Sequence, residues 1–213
     1  MYDAGRREGG EVVRVSEANE RKVAGRRGSQ DSGACAQALG VSLRPVTTGD
    51  EAFLLRVFAS TRETERHAVD WSDESWDDFI RTQSEAQRRH YTTNFSPSEH
   101  MIVLCEEQPI GRIWVYRDAN EIRLLDIAIL APYRGKGIGT CLIRRFQKEA
   151  QTANLPLRHS VELQNHGARR LYERIGFVPI SAQGLHILME WVPRPSEGEP
   201  SLGTPRDGRD PTT

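Results

Sequence analysis

A glycine-rich segment between a predicted strand and a predicted helix carries the clearest chemical signal in this sequence. It runs from Leu130 to Thr140 and reads LAPYRGKGIGT; we call it the glycine loop. Glycine has no Cβ, so the backbone N–H groups from Gly135 to Thr140 can close on an anion. The start of the following helix adds about half a positive charge. The glycine loop therefore predicts a site for a phosphate or pyrophosphate group.

Two common phosphate-binding loops do not match this segment. A Walker loop requires Ser or Thr directly after its lysine, but Gly137 follows Lys136. A GxGxxG loop that starts at Gly135 has Thr140 in place of its last glycine, and one that starts at Gly137 has Leu142 there. From the residues alone, a tight turn without a ligand stays open as the alternative.

Two carboxylates close to this segment could accept a proton. Asp126 lies inside the apolar run LLDIAIL, where an unpaired carboxylate is costly, and Glu162 ends the next predicted strand. Glu121 is a weaker third candidate. Each of the first two has a structural alternative, a hydrogen-bonded buried acid for Asp126 and a surface salt bridge for Glu162. The histidines and cysteines show neither HExxH nor CxxC spacing, so the sequence predicts no metal site.

Composition and charge limit the class of partner. The chain has 213 residues, 37% of them hydrophobic, with 29 basic and 30 acidic side chains and a net charge of −1. This near-neutral charge argues against a nucleic-acid partner. No apolar run approaches the roughly eighteen residues of a membrane-spanning helix, and the N-terminus has no apolar signal core. We therefore expect no membrane segment and a cytoplasmic location.

Apolar residues are concentrated in the middle of the chain. Residues 1–40 contain one Leu, no Ile or Phe, and seven glycines, and residues 193–213 contain five prolines. Neither tail can bury enough apolar surface to offset the entropy lost on ordering, so both are predicted to be disordered. Residues 41–192 are enough for a single folded domain.

The hydrophobic periodicity within residues 41–192 predicts a mixed α/β fold, a mostly antiparallel sheet flanked by helices. Two helices follow the first strand, one ending near Glu65 and the other running from Ser72 or Asp73 to about Tyr91. An antiparallel meander comes next. The predicted strands lie at 41–46, 101–106, 110–117, 122–130, 157–163, 177–180 and 185–191. Of the two later helices, one follows the glycine loop directly and the other spans 167–175.

Two motifs, taken together, resemble the GCN5-related N-acetyltransferase family, known as GNAT. The first is the arginine and glycine pattern R-x-x-G-x-G of residues 134–139, which follows an apolar strand. The second, residues 165–177, resembles the family pattern N-x-x-A-x-x-L-Y-E-x-x-G-F. The similarity covers residues 41–192. One departure concerns the family's proline, which here is Pro132, one residue later than usual, with Ala131 in the usual place; we expect a locally altered turn.

The resemblance implies that acetyl-CoA is the acyl donor and that no metal is required. The backbone of two strand residues would pair with the pantetheine arm, and N–H groups of the glycine loop would hold the pyrophosphate. Asn165 would bond to the cofactor or, alternatively, would only cap its helix. The implied cofactor-binding residues are Ile127, Ile129, Arg134, Gly135, Gly137, Ile138, Gly139, Thr140 and Asn165.

The resemblance also implies direct transfer of the acetyl group to a primary amine in a ternary complex. Tyr172 would be the general acid, unless it is only an aromatic residue of the core. Asp126 or Glu162 would be the general base, and the N–H of Ile129 or its neighbour would stabilise the oxyanion. An acyl intermediate on Cys141 is disfavoured because that residue is predicted on the buried side of its helix.

The acceptor is not identified by the sequence. A small-molecule or peptide amine is expected, and a homodimer stays open. Two alternatives remain: a non-catalytic acyl-CoA-binding or regulatory module, and a transferase for a macromolecular amine such as a protein N-terminus, a lysine or an aminoacyl-tRNA. Residues that could line the acceptor pocket, which the sequence does not rank, are Trp71, Trp76, His90, Tyr91 and the charged run 62–67.

Overall fold

The computed structural model of the protein describes residue 36 and residues 39–194. Over this range it confirms the predicted mixed α/β fold with a mostly antiparallel sheet. The two predicted tails lie almost entirely outside the described residues, so their disorder stays a prediction.

Seven strands form one sheet in the order β1-β2-β3-β4-β5-β7-β6. Neighbouring strands are antiparallel except β4 and β5, which are parallel. The predicted meander is confirmed as β2, β3 and β4. The strands are β1 (Val41–Pro45), β2 (Ser98–Cys105), β3 (Gln108–Arg117), β4 (Ile122–Ile129), β5 (Leu157–Glu162), β6 (Val178–Gln183) and β7 (His186–Trp191).

Helices cover both faces of the sheet. One face is packed by the helices on either side of β5, through apolar side chains that include Leu142 and Phe146. The other face is covered first by the helix that follows β1, through Phe53 and Val57. The helices are α1 (Glu51–Ala59), α2 (Glu63–Ala68), α3 (Asp73–Asn94), α4 (Ile138–Ala153) and α5 (His166–Arg174).

The prediction of one helix ending near Glu65 was wrong, because the chain forms two helices there. The hydroxyls of Ser60 and Thr61 donate to the carbonyls of Val57 and Phe58 at 2.8 and 2.7 Å. Such local bonds compete with helical hydrogen bonding and end α1 at Ala59. A separate short helix, α2, then follows with no buried residue.

Strand β2 begins three residues earlier than predicted, at Ser98. The residues Ser98 to His100 are polar and show no apolar alternation, but they pair with Tyr116, Val115 and Trp114 of β3. Cross-strand pairing therefore extends β2 where the local sequence gave no signal.

The pKa of His100, a residue of β2, is shifted by its surroundings. Its ring stacks on Trp114 with centroids 4.0 Å apart and planes 9° from parallel. Its Nε2 atom is buried and has no hydrogen-bond partner among the described residues. Burial lowers the pKa of His100 to about 4. The folded protein therefore keeps this imidazole neutral at pH values where the unfolded chain would protonate it.

We predict that His100 makes the fold acid-sensitive. Between pH 6.5, the ordinary pKa, and pH 4, unfolding takes up a proton, so the free energy of unfolding falls as the pH falls through that interval. The loss should reach about 2–3 kcal/mol. His100→Phe keeps an aromatic ring on Trp114 and should remove this part of the acid sensitivity in urea unfolding at pH 7, 5.5 and 4.5.

His67→Phe is the matched control, because His67 is exposed on α2. The prediction is wrong if His100→Phe and the unsubstituted protein lose the same unfolding free energy between pH 7 and 4.5.

Candidate active site

A cleft of about 560 Å³ opens where β4 and β5 separate. Their ladder has three residue pairs, which end at Leu124 and His159. Beyond that pair the strands diverge. The cleft lies between them and is closed at one end by the glycine loop and the start of α4. All twelve residues predicted for the site line it: Asp126, Ile127, Ile129, Arg134, Gly135, Gly137, Ile138, Gly139, Thr140, Glu162, Asn165 and Tyr172.

The glycine loop adopts a conformation that only glycine accepts easily. A 3-10 turn, Ala131–Tyr133, contains Pro132 and comes first. Gly135 and Gly137 then take φ values of 75° and 84°, in the left-handed region. A Cβ on either glycine would meet nothing within 4 Å, so the requirement for glycine is conformational and open space lies beside the backbone.

The start of α4 presents backbone donors to the cleft. The N–H of Cys141 donates to the carbonyl of Gly137 at 2.9 Å, the first such bond of the helix. The N–H groups of Ile138, Gly139 and Thr140 come before that bond and have no carbonyl four residues earlier in the helix to accept from them. The first turn contains no acidic residue. This end of the cleft can therefore bind an anion.

The backbone of Ile127 and Ile129 faces away from β3. The N–H of Leu130 donates to the carbonyl of Ile110 in β3, so by alternation the neighbouring residue Ile129 points toward the diverging β5. The Arg134 guanidinium donates to the Ile129 carbonyl at 2.6 Å and to the Ser60 carbonyl at 3.1 Å. Arg134 thus ties the glycine loop to β4 and to the end of α1.

Asp126 forms an ion pair with a buried arginine. Its Oδ2 lies 2.6 Å from Nε of Arg112, and the two side chains are 18% and 3% exposed. The N–H does not point at this oxygen, so the attraction is Coulombic without a well-aligned hydrogen bond. Arg112 also donates to Gln87 of α3 at 2.8 Å. Sequence analysis missed Arg112, although a charged residue inside an apolar strand is the same signal that marked Asp126.

Glu162 is the more accessible of the two predicted bases. Its side chain is 52% exposed, and Oε1 lies 3.7 Å from Nη1 of Arg62, which contacts Glu65 more closely at 2.8 Å. Glu121 lies outside the cleft, at the start of β4, where Arg158 and Arg123 each approach it to 2.8 Å.

Tyr172 lies between the core and the cleft. It is 2% exposed, and its ring contacts those of His159 and Phe177 with centroids 4.8 and 5.1 Å apart. Burial raises the pKa of the Tyr172 phenol above its ordinary value, and the nearby charge of Asp126 adds to this. The phenol therefore stays protonated at neutral pH, and the same shift makes it a weaker acid than an exposed tyrosine.

Tyr91 and His159 contact consecutive carbonyls of β4; Tyr91 was an unranked candidate for the acceptor pocket, and His159 was not predicted for the site. The Nδ1 of His159 lies 2.6 Å from the Leu124 carbonyl, and the Tyr91 hydroxyl donates to the Leu125 carbonyl at 2.9 Å. Burial lowers the pKa of His159 and raises that of Tyr91, so both side chains are neutral near pH 7. For His159 the available signal was its place between Leu157 and Val161, which share its buried face of β5.

The remaining predicted residues have defined surroundings. Asn165 accepts a hydrogen bond from the Ala168 N–H at 3.0 Å and so caps α5, while a contact with a cofactor stays a prediction. Cys141 is 1% exposed, which agrees with its predicted position on the buried side of α4. Among residues 36 and 39–194, no group of three or more His, Cys, Asp or Glu side chains could hold a metal ion.

A second cavity of about 520 Å³ adjoins the cleft between α3 and the strands β5 and β7. Of the residues that the sequence could not rank, Arg62, His90 and Tyr91 line it. Trp71 and Trp76 instead form an aromatic cluster with Phe79 near the start of α3.

No helix within the described residues is long and apolar enough to span a membrane.

Comparison with known proteins gives one family and several structures of the same fold. The sequence profile of the Acetyltransferase (GNAT) family matches residues 66–177, more than half of the chain. No curated protein matches the sequence. Similar solved structures include PaiA N-acetyltransferase from Thermoplasma acidophilum in complex with coenzyme A, at 22% identity and a TM-score of 0.55, over 71% of this chain and 98% of that one.

Two further structures show the same fold. An acetyltransferase from Thermus thermophilus has 20% identity and a TM-score of 0.54, over 72% of this chain and 97% of that one. PH1933 from Pyrococcus horikoshii OT3 has 15% identity and a TM-score of 0.51, over 72% and 99%. At these identities the likeness establishes the architecture.

We predict that removing Arg112 destabilises the protein through the carboxylate left behind. Arg112→Leu should cost about 3 kcal/mol of unfolding free energy, because the largely buried Asp126 would lose its counter-charge. Adding Asp126→Leu should recover part of that loss, as measured by chemical denaturation.

Arg88→Leu serves as the control, since the exposed Arg88–Glu85 pair should contribute under about 1 kcal/mol. A double variant no more stable than Arg112→Leu would contradict this account of the pair.

Proposed function

The chain belongs to the GNAT family of acetyltransferases, and on that premise we propose that it transfers the acetyl group of acetyl-CoA to a primary amine by direct attack in a ternary complex. The observation that carries the proposal is the cleft itself. It joins a helix start rich in free N–H donors to a stretch of β4 that has lost its neighbour β5.

The donor would bind along this cleft. The N–H groups from Gly135 to Thr140 would hold the pyrophosphate, because they combine an open glycine backbone with the positive end of the α4 dipole. Ile127 and Ile129 would pair with the amides of the pantetheine arm as an added strand. Since Arg134 already occupies the Ile129 carbonyl, Ile129 would contribute its N–H. Asn165 would bind the arm through its side-chain NH₂ group, because the side-chain oxygen caps α5.

The reaction would then proceed by nucleophilic attack on the thioester. The amine nitrogen attacks the carbonyl carbon, and the carbonyl electron pair moves to oxygen, where the N–H of Ile129 or its neighbour stabilises the charge. Collapse of this intermediate re-forms the carbonyl and breaks the C–S bond. Tyr172 gives its proton to the leaving thiolate, so the products are an N-acetyl amine and CoA.

The proton of the attacking amine would pass to Glu162 or Asp126, directly or through water. Asp126 already pairs with Arg112 at 2.6 Å, which makes it the less free acceptor. Glu162 is more exposed and more distant from its arginine, which makes it the freer acceptor. Cys141 takes no part, since it is buried within α4.

The acceptor would enter through the second cavity, whose volume of about 520 Å³ is in the range of sites for small molecules. This supports a small-molecule amine or the first residues of a peptide. A macromolecular amine remains the second candidate, and for aminoacyl-tRNA a steep dependence of binding on salt would distinguish it. The cytoplasmic location and the homodimer stay predictions of the sequence.

A non-catalytic acyl-CoA-binding module is the other alternative. Such a module would bind acetyl-CoA and release no thiol with any amine. The discriminating measurement is thiol release across a panel of small amines and short peptides, with the protein already shown to bind the donor.

We predict that acetyl-CoA binds at the glycine loop with micromolar affinity in calorimetric titration. Gly137→Glu should abolish this binding, because it puts a carboxylate where the pyrophosphate would lie. Gly184→Glu is the matched control, as Gly184 also has a positive φ of 54° and open space around it but lies in the β6–β7 turn. Absence of binding at millimolar acetyl-CoA would rule out the donor site.

We predict that the proposed acid and base affect transfer more than donor binding. Tyr172→Phe should slow transfer roughly 100-fold, because the thiolate loses its proton donor, while CoA affinity stays nearly intact. Glu162→Gln and Asp126→Asn, made separately, should identify the base by their effect on kcat across pH 6–9. An unchanged rate in Tyr172→Phe would reduce Tyr172 to a packing residue, and two unchanged carboxylate variants would refute both assignments.

A further inference from the structure

Strand β4 loses regular pairing with both of its neighbours within two residues. On the β3 side, Trp114 pairs with Asp126 and Val115 pairs with Leu124, so Leu125 is an extra residue, a β-bulge. On the β5 side, the parallel ladder ends at Leu124. The two irregularities coincide, and the cleft begins at this point.

His159 contacts the carbonyl at the end of the β4–β5 ladder. The Ile122 N–H donates to the Pro156 carbonyl next to β5, so by alternation Leu124 also faces β5. The Leu124 carbonyl meets Nδ1 of His159 at 2.6 Å, within hydrogen-bonding distance. A carbonyl can only accept, so this contact requires a proton on Nδ1. The imidazole thus sits between the strands where they separate.

Tyr91 contacts the next carbonyl from the opposite direction. A bulged residue loses its place in the ladder, so the Leu125 carbonyl needs another donor. The Tyr91 hydroxyl of α3 supplies it at 2.9 Å. The ring of Tyr91 also packs edge-on against Trp114, with centroids 5.1 Å apart, which holds the phenol over β4.

We propose that Tyr91 and His159 are positioning residues that hold β4 on its bulged path away from β5, and so keep the cleft open for the acyl end of the donor. We call these two hydrogen bonds the carbonyl clamp. They orient the Leu124–Leu125 and Leu125–Asp126 peptide groups, which lead into Asp126 and Ile127. The proposal rests on the proposed function only in that an acyl-CoA arm is the ligand of the cleft.

The surroundings of both side chains keep them as neutral donors. Asp126 of β4, His186 of β7 and Tyr172 of α5 lie near His159, and burial is the main reason that its pKa falls below the ordinary value. Around Tyr91 lie Asp126, Arg112, Gln87 and Arg62, and burial again dominates, raising the phenol pKa. Both side chains are therefore neutral near pH 7.

The first test separates the acyl end of the cleft from its phosphate end. The probes are acetyl-CoA and adenosine 3′,5′-bisphosphate, which lacks the pantetheine arm, titrated into the full chain. Tyr91→Phe and His159→Leu should each weaken acetyl-CoA binding about tenfold, the effect of one hydrogen bond, and leave bisphosphate binding within twofold. His159→Asn, whose amide can replace Nδ1–H, should restore most of the loss.

Matched substitutions outside the cleft are Tyr116→Phe, whose hydroxyl bonds to Asp118, and His67→Leu on α2. Both should leave the two affinities unchanged. An equal loss of affinity for both probes in Tyr91→Phe and His159→Leu would mean general destabilisation and would overturn the proposal. An unchanged acetyl-CoA affinity in Tyr91→Phe and His159→Leu would overturn it as well.

The second test needs no ligand, so it decides the proposal even if the protein binds no CoA and the proposed function fails. Long-range ¹H–¹⁵N spectra of the imidazoles should show His159 in the Nδ1–H tautomer near pH 7. In Tyr91→Phe the amide shifts of Leu125, Asp126 and Ile127 should change while those of α4 do not. A His159 ring in the Nε2–H tautomer, or unchanged amide shifts at the bulge, would refute the clamp.

Discussion

The geometry of the site depends on one irregularity in the sheet, the short parallel ladder between β4 and β5. Parallel strands that kept pairing to their ends would satisfy each other's backbone groups and leave no room between them. Here the ladder stops at Leu124 and His159, and the bulge at Leu125 turns β4 away. The backbone beyond this point becomes available to a ligand, and the glycine loop that follows places the start of α4 at the same opening.

Several charged side chains of the cleft have partners before any ligand arrives. Asp126 is matched by Arg112, Glu162 lies near Arg62, and the Arg134 guanidinium contacts two backbone carbonyls. The first N–H groups of α4 have no acceptor in regular helix geometry and face the cleft. The glycine loop is therefore the end of the cleft suited to an anionic group, while the phenol of Tyr172, protonated at neutral pH, lies beside the cleft in largely buried surroundings.

Much of this arrangement was predictable because it has a local signature. The glycine loop, the strand before it and the Asn165–Phe177 motif identified the family and the side chains around the cleft, and their positions in the structure agree. The break between α1 and α2 was missed because residues 60–65 contain no Gly or Pro to mark it. Hydroxyl-to-carbonyl bonds of Ser60 and Thr61 end the helix instead. The early start of β2 was missed because its polar residues become a strand only by pairing with β3.

By itself, the sequence determined most of the segments that form helices and strands, predicted an anion site at the glycine loop, and indicated which residue types could donate or accept a proton. Those properties depend on neighbours a few positions apart along the chain. The tertiary structure alone decided that Arg112 neutralises Asp126, that His159 and Tyr91 meet consecutive carbonyls of β4, and that Glu121 lies outside the cleft. The contacts of Arg112, Tyr91 and His159 join residues 14 to 35 positions apart, between strands or between α3 and β4, and their geometry is set by the packing of the whole sheet.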